Sequence, residues 1–304
     1  MGCRYLLRGV SDTYVLERDA EQYIFKVYRD AHRSLEEIKG ETELLFILKE
    51  KGAKVSYPIH DLGGQTIQVF RAAEGIRHGV LFSFAKGKSS PDLSDRQLQV
   101  TGREMAFNHN ITSVIELSYA RKGYDIHTTI TRPLQILAPA FKDFGAEYAS
   151  LQETAALVRQ KLESIDTSSF GYGYCHYDYF PKNFFFDEND TITLFDFDFA
   201  GKGLLANDLA TFRTHLFFEE FNKRKTAEET RRIFSMLISG YREGRPLSEA
   251  EEAIIPLLVF TLLLFYLGFQ YENYDDFSNT YFNAVYPQKF AAVMKDWADR
   301  YCGL

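Results

Sequence analysis

Two apolar runs, residues 184–186 and 192–195, flank the polar stretch Asp187-Glu188-Asn189-Asp190. Short apolar segments around turn-forming residues predict a β-hairpin. A second hairpin is predicted where 14–17 and 22–28 flank Arg18-Asp19-Ala20-Glu21. Alternation in its second strand puts Ile24, Lys26 and Tyr28 on one face and Phe25 and Val27 on the other, so Lys26 is a charge in the middle of an apolar strand. From Ser34 to Lys51 the period changes. Leu35, Ile38, Leu45 and Leu48 recur at helical spacing and Gly52 follows as a stop. Glu41 falls on that apolar stripe, between Leu48 and Ile38, whereas Glu36, Glu43 and Glu50 fall on the solvated side. A buried carboxylate needs a partner. Lys26 is the first candidate, and Glu37, at the edge of the stripe, is the alternative acid. Gly40 is a weak point inside the helix.

Two further strands are predicted near 65–70 and 79–84, with Gly63-Gly64 as a turn, and Gly, Ser and Pro cluster at 86–91 as a boundary. Beyond Leu93 the pattern is mainly helical, with amphipathic stretches at 95–108 and 143–164 and an irregular one at 116–132. The run 253–269 has about the minimum length to cross a bilayer, but it contains Pro256 and is flanked by acids, which predicts a buried core helix.

The 184–195 hairpin also carries chemistry. A turn centred on Glu188 and Asn189 sets 183 opposite 194, so Asn183, Leu194 and Asp196 share a face; Asp198 joins them if the chain stays extended. An amide and two carboxylates suit Mg²⁺, which takes one or two carboxylates plus substrate phosphates. Asp178 lies just upstream, on a loop that reverses at Pro181, placed to work beside the metal without ligating it. Metal ligands and a carboxylate to receive a hydroxyl proton are the parts of a phosphoryl-transfer site.

Composition narrows the options little. A net charge of −7 without a basic block argues against nucleic-acid binding and is compatible with a cationic substrate. Cys3, Cys175 and Cys302 lack metal or disulfide spacing, which fits a reducing cytoplasm. The start reads straight into strand-like sequence rather than a signal peptide, and Leu6 argues against myristoylation at Gly2. His109 and His127 have no metal spacing and read as surface or packing histidines.

The series His176-x-Asp178-x-x-x-x-Asn183, followed by Asp196-x-Asp198 and then Asp208-Leu209-Ala210, resembles the signature of the aminoglycoside phosphotransferase/choline kinase family. That resemblance implies an α+β, protein-kinase-like bilobal fold. Residues 1–85 would form a small antiparallel N-terminal lobe with one αC-type helix, which binds the nucleotide. Residues 86–304 would form a larger, mainly helical lobe for catalysis and substrate. By the same resemblance Asp178 is the catalytic base, Asn183 and Asp196 are Mg²⁺ ligands, and Asp198 is a second ligand or a brace. His176 becomes a strut, and Asp208 braces the catalytic loop. Ile24-Phe25-Lys26-Val27-Tyr28 resembles the kinase lysine strand, which puts Lys26 on the nucleotide phosphates, Glu41 beside it, and the loop from Gly9 to Tyr14 over them. Ser83 and Ala85 would offer backbone groups to the purine.

The implied reaction is transfer of the γ-phosphate of ATP or GTP to a hydroxyl of a small molecule: an aminoglycoside, an amino alcohol or a homoserine-like compound. Eleven residues between Asp196 and Asp208 leave no long activation segment, which favours small acceptors. A protein serine/threonine kinase of the same fold and a non-catalytic nucleotide-binding protein stay open as alternatives. Tyr266, Tyr271, Glu272, Tyr274, Asp275 and Asp276 form an aromatic and acidic cluster suited to an amine. Arg213 and His215 are further candidates for the cleft. No membrane partner is expected, and the oligomeric state stays open.

Overall fold

The computed structural model describes residues 2–9, 11–29, 32–73, 75–90, 92–273, 283 and 285–304. In chain order, strands β1 (Gly2–Arg8), β2 (Ser11–Arg18) and β3 (Glu21–Tyr28) lead into helix α1 (Leu35–Glu50). Strands β4 (Ile67–Ala72) and β5 (Gly75–Ser83) follow, then helices α2 (Asp95–Thr112), α3 (Arg132–Leu137) and α4 (Gly145–Glu163). Next come β6 (Tyr172–Cys175), β7 (Phe184–Phe186), β8 (Ile192–Leu194) and β9 (Gly201–Leu204). Helices α5 (Ala206–Phe221), α6 (Ala227–Gly244), α7 (Glu249–Ala253), α8 (Ile255–Asn273) and α9 (Tyr286–Trp297) complete the chain. It divides into two compact units, residues 1–122, 178–200 and 231–246 in the first, and 123–177, 201–230 and 247–304 in the second.

The first unit holds an antiparallel five-stranded sheet in the order β1-β2-β3-β5-β4. The predicted β2–β3 hairpin is present, with Arg18 opposite Glu21 and Asp19 at φ 56 in the turn. The connection from β1 to β2 is short, and its Val10 lies outside the described residues. Helix α1 begins at Ser34, whose Oγ accepts from Glu37 N while the Glu37 carboxylate accepts from Ser34 N, a capping box. That bond engages Glu37 at the helix start. Glu41, Ile38, Leu45 and Leu48 are buried as the periodicity predicts, Leu44 is buried as well, and Leu35 is exposed. Glu43 is half-buried rather than fully solvated. Its carboxylate accepts from Ser118 N, Ser118 Oγ and Tyr119 N.

The β7–β8 hairpin forms one residue out of the predicted register. Phe184 pairs with Leu194, so Asn183 stands opposite Phe195, whose N–H donates to Asn183 O at 2.9 Å. The turn takes an extra residue because Asp187 Oδ1 accepts from both Asn189 N and Thr191 N, with Asp190 at φ 59. The strict face-sharing of positions 183, 194 and 196 therefore fails. Asp196 also leaves the strand, at φ 65 and ψ 61, and residues 197–199 form a 3₁₀ turn, so the chain does not stay extended to Asp198.

In the second unit α8 is buried along most of its length, and Trp297 Nε1 donates to Pro256 O at 2.8 Å at its start. Of the described helices it is the one with the length and apolarity to cross a bilayer, and 72% of its apolar window is buried inside the protein. It is the core helix the sequence suggests.

Candidate active site

Strand β3 delivers Lys26 to a buried position. Its Nζ lies 2.7 Å from Asp196 Oδ1, 2.8 Å from Asp198 Oδ2 and 4.0 Å from Glu41 Oε1. The two close carboxylates, not Glu41, are its principal partners. Burial opposes the ammonium charge, but Asp196, then Asp198 and Glu41, outweigh it and hold the Lys26 pKa well above the ordinary value. Burial acts on Glu41 in the other direction and lifts its carboxyl to about 7 despite the Lys26 charge. Glu41 Oε2 is buried without a hydrogen-bond partner.

The turn after β8 explains how two acids two residues apart reach one ammonium. Left-handed Asp196 reverses the backbone, and the 3₁₀ turn then swings Asp198 back. The Asp196 side chain is 42% exposed and that of Asp198 5%, so one acid faces solvent and the other is enclosed. Asp198 Oδ1 is buried without a hydrogen-bond partner.

Asn183 ends the turn Pro181–Asn183, and its Nδ2 donates to Asp178 Oδ2 at 2.6 Å and Asp178 O at 2.8 Å. Lys182 Nζ, which the sequence reading did not single out, sits 3.4 Å from Asp178 Oδ2. The structure thus gathers Lys26, Glu41, Asp196 and Asp198 in one group and Asp178, Lys182 and Asn183 in another. The bond from Phe195 N to Asn183 O ties the second group to the residue before Asp196. Among the described residues no three His, Cys, Asp or Glu side chains are grouped to hold a metal unaided. Spending the Asn183 amide nitrogen on Asp178 leaves its carbonyl oxygen as its remaining polar group. That oxygen, the Asp196 carboxylate and the buried Asp198 Oδ1 are hard donors of the kind Mg²⁺ takes when substrate phosphates complete its shell.

Within the second unit Asp208 accepts from His176 N at 2.9 Å and Tyr177 N at 2.7 Å. Tyr177 sits at φ 61, its ring stacked on Tyr124 at 3.4 Å between centroids, and its carbonyl accepts from Tyr266 Oη. Asp178 is the next residue in the chain.

Other expectations fare unevenly. Ser83 N donates to Tyr57 O at 2.9 Å and Ser83 O accepts from Ser56 Oγ at 2.6 Å, so its N–H is already engaged. Ala85 follows β5 and is buried. Arg213 pairs with Glu220 at 3.0 Å and packs over Trp297 and Tyr301, a strut of the second unit. His215 lies edge-on to Phe212. Glu272 is paired with Arg132 at 2.6 Å, and Tyr274, Asp275 and Asp276 lie outside the described residues. Arg121 was missed altogether. Its guanidinium meets four backbone carbonyls around the Lys26 group, and the trace it left in the sequence was the glycine at position 40.

Residues 2–247 match the model of the phosphotransferase enzyme family. The chain belongs to that family. It is a phosphotransferase, a kinase with a hydroxyl as acceptor. It is 28% identical to a homoserine kinase of Phenylobacterium zucineum, over 83% of this chain and 74% of that one. Among solved structures it is similar to the amicoumacin kinase hAmiN in complex with AMP-PNP, Ca²⁺ and Ami, with TM-score 0.80 and 20% identity, covering 98% of this chain and 88% of that one. A microcompartment-associated aminopropanol kinase matches with TM-score 0.80 and 24% identity, covering 99% of this chain and 92% of that one. These likenesses establish the kinase-like fold of this phosphotransferase, a five-stranded antiparallel sheet followed by a mainly helical region.

Proposed function

We propose that this phosphotransferase moves the γ-phosphoryl group of ATP or GTP to the hydroxyl of a small amino alcohol, with Mg²⁺ as cofactor. The observation that carries the reading is the meeting of Lys26 with Asp196 and Asp198, one oxygen of which is buried and unsatisfied. The Lys26 ammonium and the two carboxylates compensate one another, but Asp198 Oδ1, buried without a hydrogen-bond partner, is costly unless a ligand uses it. Lys26 has the charge and the anchoring to serve phosphate oxygens. Asn183, Asp196 and Asp198 would hold Mg²⁺, which neutralises charge on the phosphates when bound. Asp178 is held by Asn183 and faced by Lys182, and in this reading it takes the proton of the attacking hydroxyl. Asp208 accepts from the N–H groups of His176 and Tyr177, the two residues that precede Asp178 in the chain.

The acceptor class rests on kinship. Relatives are named for homoserine and for aminopropanol, each an amine with a hydroxyl within a few bonds. The test is nucleoside diphosphate release from ATP and from GTP with Mg²⁺, against homoserine, aminopropanol, choline and an aminoglycoside. Turnover should depend on one amino-bearing alcohol and vanish with chelator. Turnover that no member of the panel stimulates would overturn the acceptor class.

A further inference from the structure

Helix α1 carries Glu41, the turn after β8 carries Asp196 and Asp198, and both deliver their acids to Lys26. One side chain binds the two elements together. Arg121 donates from Nη1 to Glu37 O at 2.7 Å, from Nε to Ala200 O at 2.7 Å, and from Nη2 to Phe197 O at 2.9 Å and Asp198 O at 2.8 Å. The Glu37 carbonyl is the one that the Glu41 N–H meets in the helical ladder. The Asp198 carbonyl accepts a second guanidinium bond, from buried Arg33 at 3.0 Å. Two observations show that α1 is built to receive Arg121. A Cβ on Gly40 would lie 2.9 Å from Arg121 Cδ and 3.1 Å from Tyr119 O. The Glu43 carboxylate grips Ser118 and Tyr119 just upstream.

We propose that Arg121 is a positioning residue. It fixes the register of α1 against the turn 196–200 and so sets the spacing of Lys26, Glu41 and Asp198 for a metal-bound nucleotide. A planar guanidinium with five donors can span carbonyls on two elements, and a lysine ammonium cannot reproduce that fork. The inference rests on the phosphotransfer reading of the same site.

The test compares wild type with Arg121→Lys for binding of AMP-PNP with Mg²⁺ by calorimetry, beside thermal melting of each ligand-free protein. The dissociation constant should rise about tenfold or more in the variant, for a melting temperature lowered by no more than a few degrees. Gly40→Ala, which presses on the same side chain from α1, should weaken binding in the same direction and serves if Arg121→Lys does not fold. A purely structural role would lower the melting temperature and leave the affinity of the folded protein unchanged; that result overturns the proposal alone. If wild type binds no Mg²⁺–AMP-PNP, the phosphotransfer reading fails and the positioning role falls with it.

Discussion

Tyr177 holds a backbone conformation, φ 61, that costs a residue with a side chain roughly 1–2 kcal/mol. Glycine there would relieve it. Yet the Tyr177 ring is fully buried, stacked on Tyr124 and edge-on to Phe265, and deleting a buried aromatic costs about 3–5 kcal/mol. The second figure is larger, so Tyr177→Gly should destabilise the protein by about 1–4 kcal/mol in urea unfolding. A more stable variant would mean that strain, not packing, dominates. Asp178 beside it makes a sharper case. Asp178→Asn should lower turnover by about 10²–10⁴-fold while AMP-PNP affinity changes little, and a variant that keeps most of its turnover would remove Asp178 from the role of base.

Glu41 adds a pH signature. Its carboxyl is lifted from 4.5 to about 7 by burial, so the folded chain binds that proton more tightly than the unfolded one. The contribution to folding is full below pH 4.5 and is lost as pH rises through about 7. Relative to Glu41→Gln, wild type should lose about 3 kcal/mol between pH 4.5 and pH 8 in denaturant titrations. Parallel curves would show that the lift is absent. Glu41 was legible because it interrupts an apolar stripe, and Lys26 because it interrupts an apolar strand. Arg121 was not, since its bonds go to backbone carbonyls, which have no residue identity for a sequence to display.

At the scale of elements, the segments were legible and their joints were not. Periodicity located α1 almost to the residue, because Ser34 and Gly52 terminate it by local chemistry. The hairpin existed as expected, but its register slipped by one because Asp187 bonds two N–H groups and lengthens the turn. The side chains still reached Lys26 through a left-handed residue, which strand alternation does not anticipate. A second joint was hidden at 86–91, where the composition suggested a plain boundary. Lys88 in fact exchanges backbone bonds with Phe186 at 3.2 Å each way, and Gly87 passes so close that a Cβ would fall 2.0 Å from Phe186 O. Its φ of 98 is also one that side chains rarely adopt. Gly87→Ala should therefore cost roughly 2–5 kcal/mol in unfolding experiments, from overlap and strain together. A near-neutral result would mean that the segment can lift off β7.

For the whole molecule, Lys26, Glu41, Asp178, Asn183, Asp196 and Asp198 all belong to the first compact unit, about 160 of the 304 residues. A ligand held by them stabilises that unit directly, and the second only if the two unfold together. Mg²⁺–AMP-PNP at a hundred times its dissociation constant contributes about 2.7 kcal/mol. With an unfolding entropy of about 2.1 cal/mol/K per residue, that raises the melting temperature by roughly 4 °C if the whole chain melts as one. If the first unit melts alone, the rise is roughly 8 °C and a second transition stays where it was. Calorimetric scans with and without the nucleotide distinguish the two, and chelator should abolish most of either shift. The same scans on Asp196→Asn should show little metal-dependent shift, because its carboxylate is the exposed one of the Lys26 pair. A full shift in that variant would move the metal away from Asp196 and leave the buried Asp198 oxygen to hold it.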